Sequence, residues 1–88
     1  FRMLADSGAG VTTLRPEVAR ELSLEPIGQR QVRMADDRVI DVDEYAPMEL
    51  EVGGFKAKVQ PVALGLGDVD GLLGRDWLGD TGLSVDVR

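Results

Sequence analysis

At 88 residues the chain is a single small domain, of a size whose core is marginal without a metal, a disulfide or a partner; it has no cysteine, which leaves association as the remaining source of stability. It has no histidine either, which removes the commonest general base and metal ligand, so catalysis must rest on carboxylates, Lys or Tyr. A formal charge of −6 argues against a phosphate-binding surface and so against nucleic acid as a partner.

Phe1 to Ala5 is short, mostly apolar and ends at Asp6-Ser7-Gly8, the pattern of a strand running into a tight turn with a carboxylate at the strand end. There is no signal-peptide pattern, and no apolar run approaches the roughly 20 residues that span a bilayer. The given segment therefore reads as soluble, without membrane contact and with the cytoplasm slightly favoured. Because Phe1-Arg2-Met3-Leu4 opens as if inside a strand, one or more preceding strands are expected to be missing. Val11 to Leu14 resumes extended chain. Pro16 then marks a first helical position, and Leu14, Val18 and Leu22 share one face, predicting a short amphipathic helix over 16–22 closed by Pro26 and Gly28.

Between Gln31 and Val52, Val32 and Met34 precede the turn-forming pair Asp36-Asp37, and Val39, Ile40 and Val42 follow it, which predicts a hairpin with an acidic tip. Leu50 and Val52 alternate with Glu49 and Glu51 before Gly53-Gly54, and Phe55, Ala57 and Val59 alternate on the return; this is a second hairpin around a tight turn. Pro47 and Pro61 belong at strand ends, bulges or edges. The Gly- and Asp-rich stretch 65–71 is a loop leading to a brief strand and a single helical turn around Leu72-Leu73-Gly74-Arg75-Asp76-Trp77-Leu78. Leu83, Val85 and Val87 alternate as a terminal strand.

Two segments carry the chemistry. Asp6-Ser7-Gly8-Ala9 sets a carboxylate beside a hydroxyl and a glycine that lets another backbone approach; alone it is an ordinary turn sequence. The second is Leu72-Leu73-Gly74-Arg75-Asp76, two apolar residues and a glycine ahead of a short helix. Together, in this order and at this separation, they resemble the retropepsins, the dimeric aspartic proteases of retroviral type, over nearly the whole chain.

The resemblance implies a mostly β, small, closed barrel-like acid-protease fold with one or two short helices, one lobe per subunit of a homodimer. Asp6 would be the catalytic aspartate, paired with its symmetry mate, with Ser7, Gly8 and Ala9 supporting the site. Gly8 and the flap residues Ala35, Asp36, Asp37 and Arg38 would meet a peptide or protein substrate. Leu72, Leu73, Gly74 and Arg75 would pack beneath the loop, and Ser84 to Arg88 would add an interface strand. The chain departs from many viral members at Gly10, where an acidic residue that can pair with the arginine matching Arg75 is usual, and at the flap tip, where Asp36-Asp37-Arg38 replaces glycines.

Peptide hydrolysis without a metal needs one carboxylate to take a proton from water and one carboxylic acid to polarise the carbonyl. One Asp cannot be both. Two like charges about 3 Å apart do not both ionise, so a symmetric pair shares one proton, aspartic proteases being the standing example. The alternative reading is a non-catalytic dimerisation or peptide-binding module that keeps the fold. No cofactor is expected: Asp36, Asp37, Asp41, Asp43 and Glu44 read as solvated charge, and Asp68-Val69-Asp70-Gly71 lacks the ligand spacing of a calcium loop. Trp77 reads as a core or interface anchor; Tyr45 carries no assigned role.

Overall fold

The computed structural model describes residues 1–6, 8–34, 36–65 and 68–81. Along the chain run β1 (Met3–Ala5), β2 (Thr13–Leu14), α1 (Pro16–Glu21), β3 (Pro26–Arg33), β4 (Val39–Tyr45), β5 (Met48–Val52), β6 (Phe55–Val59), β7 (Val62–Ala63), β8 (Gly71–Leu73) and α2 (Arg75–Thr81). The terminal strand expected over 83–87 lies outside the described residues.

Six strands form one sheet in the order β1-β8-β2-β7-β4-β3. β8 lies between β1 and β2, parallel to the first through Met3↔Gly71 and Ala5↔Leu73 and antiparallel to the second through Thr13↔Leu72. The chain leaving β1 must therefore cross the C-terminal end of β8 before it enters β2, and residues 6–12 make that crossing. The mostly β class with two short helices is as the sequence implied. The sheet itself is open, with β1 and β3 at its edges, and among the described residues no ladder joins them. A closed barrel is thus not formed. β5 and β6 pair with each other, prolines at 47 and 61 interrupt the chain on either side of them, and their apolar face packs on α2 instead.

That packing forms the larger core. Ala57 and Val59 of β6, Leu73 of β8 and Trp77 and Leu78 of α2 are buried together, with Met3, Met48, Leu50 and Val52 against them. Trp77 is 1% exposed, and its indole Nε1 donates to the Leu50 carbonyl at 2.9 Å, so the one polar atom of a large apolar side chain is satisfied. A smaller cluster joins Ala19, Tyr45 and Ala63, flanked by Leu24. The seven residues of α2 exceed the single turn expected, because this apolar contact supports a helix that propensity alone would not.

Helix α1 has Pro at its first turn, Glu17 near its start and Arg20 near its end, each suited to its position. It buries Val18 and Ala19, whereas Leu22 is its C-cap and exposed. Pro26 and Gly28 do not close it; they belong to β3. Closure falls to Ser23, with φ of 54°: Leu24 N donates to Ala19 O and Ser23 N to Arg20 O, both at 3.0 Å, the bond pattern of a Schellman motif with serine where glycine is usual.

Both predicted hairpins are present. β3 and β4 pair from Pro26↔Tyr45 to Arg33↔Val39. At the tip Met34 N donates to Arg38 O at 2.7 Å and Asp37 N to Met34 O at 3.0 Å, with Asp37 at φ 66°. Gly53 and Gly54, at φ 59° and 84°, turn β5 into β6 as a two-residue loop with both central residues left-handed. Gly54→Val should therefore destabilise the domain by about 1–2 kcal/mol, a drop of roughly 5–15 °C in a thermal melt.

Candidate active site

Asp6 follows β1 directly, and its position is set by β8. Its amide donates to the Leu73 carbonyl at 2.9 Å, extending the β1–β8 ladder by one bond. The chain then turns sharply. Ala9 N donates to Asp6 O at 3.1 Å, and Gly8 N donates to the carboxylate oxygen Oδ1 at 2.9 Å. Asp6 is half-buried, and among the described residues no group donates to its Oδ2. Gly8 is exposed, and a Cβ there would stand 3.2 Å from Asp6 Oδ1, so a side chain would crowd the carboxylate. Ser7 and Ala35 lie outside the described residues.

The loop is held from below. Gly74 is buried where β8 passes under it, and a Cβ on Gly74 would fall 2.5 Å from the Val11 carbonyl carbon and 2.8 Å from Thr12 N. Only glycine allows so close an approach of two backbones. Thr12, with no exposed surface, joins them: its hydroxyl accepts from Gly74 N at 3.2 Å and donates to Asp76 Oδ1 at 2.7 Å, while its amide donates to Asp76 Oδ2 at 3.1 Å. Asp76 Oδ1 also accepts from Trp77 N at 2.8 Å. Arg75 N donates to Ala9 O at 2.8 Å. The carboxylate of α2 thus ties the helix, the end of β8 and the loop that carries Asp6 into one unit. Sequence reading assigned no role to Thr12 or Asp76; an aspartate one residue into a helix is common, and nothing local says that a threonine 64 positions away will meet it.

Above the loop lies an open groove of about 1000 Å³. Asp6, Gly8 and Leu72 line it from one side, and the β3–β4 hairpin lines it from the other, through Val32 of β3 and Met34 just after it. Asp6 is the one carboxylate among the described residues that do so. Leu73 is buried in the core and Leu72 half-buried, while Arg75 is exposed and reaches the groove. Asp36, Asp37 and Arg38 stand exposed at the hairpin turn, where Arg38 Nε donates to Asp36 Oδ2 at 2.6 Å.

A second carboxylate, Asp70, performs a purely structural task that the loop-like sequence around it concealed. It accepts from Arg2 N at 2.6 Å and from Arg15 Nη2 at 2.9 Å, and the Arg15 amide donates to its carbonyl at 2.9 Å. It fastens the start of β8 to the entry of β1 and of α1. Neither Asp70 nor Asp76 lines the groove that Asp6 faces.

Beside this strand-end aspartate over a glycine crossing stands the result of a family comparison: the model of a family described as aspartyl protease matches residues 1–77. The chain belongs to the aspartyl protease family. No curated protein matches it. Membership supports a protease-type hydrolase, in keeping with the retropepsin resemblance of the two motifs. No described helix of this member of the family is long and apolar enough to cross a membrane.

Thr12→Val should leave Gly74 N unsatisfied and remove one of the two hydrogen bonds to Asp76 Oδ1, at a cost of about 1–3 kcal/mol, read as a lower urea midpoint with unchanged slope. Thr12→Ser, which keeps the hydroxyl, should recover most of it. Gly74→Ala should be the more damaging change.

Proposed function

We propose that this chain is one subunit of a homodimeric aspartic endopeptidase, with Asp6 from each copy forming the catalytic pair. The observation that carries the reading is that Asp6 is the solitary carboxylate lining the groove among the described residues. Peptide hydrolysis of this kind needs two, one as base toward water and one as acid toward the scissile carbonyl, and a second copy related by two-fold symmetry supplies the same residue again.

In the dimer the two Asp6 carboxylates share one proton. The ionised member takes a proton from a water held between them; that water attacks the carbonyl carbon while the protonated member donates to the carbonyl oxygen. Collapse of the tetrahedral intermediate breaks the C–N bond, with a proton passing to the leaving amine. The Gly8 amide fixes one Asp6 oxygen at 2.9 Å, which holds the carboxyl plane in place as protons move. Gly8, without a side chain, leaves room for an extended substrate to run past, and Ser7 and Ala9 support the loop. The β3–β4 hairpin serves as the flap, with Ala35, Asp36, Asp37 and Arg38 at its tip, and an extended peptide lies between it and the floor as an added strand.

Asp6→Asn should reduce peptide cleavage by roughly 10²–10⁴-fold or more while sedimentation shows the same self-association, because the amide has the carboxylate's shape but cannot share the proton. Cleavage persisting in that variant would remove Asp6 from the mechanism. Specific activity should also rise with protein concentration through the range in which monomers pair; activity per chain that stays flat on dilution through that range would contradict a shared site.

A further inference from the structure

We infer that Arg75 makes this groove selective for peptides that carry an acidic side chain close to the scissile bond, an inference that rests on the protease reading of the same site. Among the described residues three guanidinium groups, those of Arg30, Arg33 and Arg75, line the groove that holds Asp6. Two have carboxylate partners: Arg30 reaches Glu44 at 3.5 Å and Arg33 reaches Asp37 at 3.8 Å. Arg75 has none among the described residues, although the chain carries 16 acidic residues against 10 basic ones.

Its location is well defined. The Arg75 amide is bonded to Ala9 O, which roots the side chain beside the Asp6 loop, and Nη2 stands 3.2 Å from where a Cβ on Gly10 would lie. The guanidinium therefore lies along the groove wall at Gly10, a residue with no side chain to engage it. A smaller cavity adjoins at Gly10, Val11 and Arg30 and adds Lys58 to the cationic wall; Asp76 also lines it, but both its oxygens are held by Thr12.

A guanidinium is charged at every working pH and offers a planar fork that fits a carboxylate with two parallel hydrogen bonds. A substrate amide supplies one acceptor without charge, and a lysine is repelled. Gly10 is four residues from Asp6, so the acidic side chain falls within about four residues of the scissile bond. Arg75 does not touch the reacting atoms; it determines specificity. Because it is exposed, the preference should be modest, roughly two- to five-fold in kcat/KM, and should shrink as salt is raised.

The test uses the best-cleaved sequence from a randomised peptide library, remade with Glu, Gln or Lys at each of about four positions on either side of the bond. Expected is one position at which Glu is preferred over Gln, chiefly through KM. That preference should vanish in Arg75→Gln and turn toward Lys in Arg75→Glu. Gly10→Asp, which installs a carboxylate against the same guanidinium, should abolish it with Arg75 intact. Equal cleavage of Glu and Gln peptides at every position would overturn the inference, as would a preference unaltered in Arg75→Gln. It is equally overturned if Arg75→Gln weakens self-association in sedimentation and leaves peptide preference as it was, since Arg75 then belongs to the contact between copies. Binding of the same peptides to Asp6→Asn, followed by fluorescence anisotropy, separates the two readings. Acid-selective binding without cleavage by the unaltered protein would sink the protease reading and keep the role of Arg75; cleavage without selectivity would do the reverse.

Discussion

The site depends on one close crossing of backbones. The chain between β1 and β2 runs over the end of β8 with so little clearance that a single methyl group on Gly74 would collide with the Val11 carbonyl. At that crossing Thr12 is fully buried and bonded to both Gly74 and Asp76. Removing two backbones and a carboxylate from water is unfavourable unless each polar group finds a partner, and here they find one another. Because β8 is the same strand that fixes the Asp6 amide, the precision of the crossing is passed directly to the carboxylate above it.

Three carboxylates of this region have been given different tasks by their surroundings. Asp76 faces inward and is held by a hydroxyl and amides; Asp70 is clamped by an amide and a guanidinium. Asp6 has one oxygen fixed by a turn amide and faces a groove. Residue type alone therefore does not distinguish Asp6 in a chain with 16 acidic residues. What marks it is the strand that ends there and the glycines that clear space around it.

Elements set by neighbours in the chain were legible before the structure. Gly53-Gly54 between two alternating runs specified a hairpin, and the Asp36-Asp37 turn specified another, because turn conformation is a local property. The end of α1 was legible to within a residue, but what closes it was not: Ser23 took the left-handed position, and the nearest glycine, Gly28, was in a strand. The extent of α2 was underestimated because its length is supported by Ala57, Val59 and Leu73, which come from other elements. The openness of the sheet and the union of Thr12 with Asp76 were not readable, since both depend on pairings between distant segments. Motif resemblance nevertheless drew attention to Gly74, a place where the close approach of two backbones leaves no room for a side chain.

The insertion of β8 between β1 and β2 also dictates when the site can come into existence. Met3 pairs with Gly71, 68 positions later, and closing a loop of that length carries an entropic cost of about 4 kcal/mol that no local contact offsets. The hairpins around Asp37 and Gly53 can form within microseconds, whereas the floor beneath Asp6 must wait for β8 to leave the ribosome, several seconds after the aspartate itself was added at about 5–20 residues per second. A nascent chain thus carries Asp6 through the synthesis of every residue up to β8 without the strand that positions it.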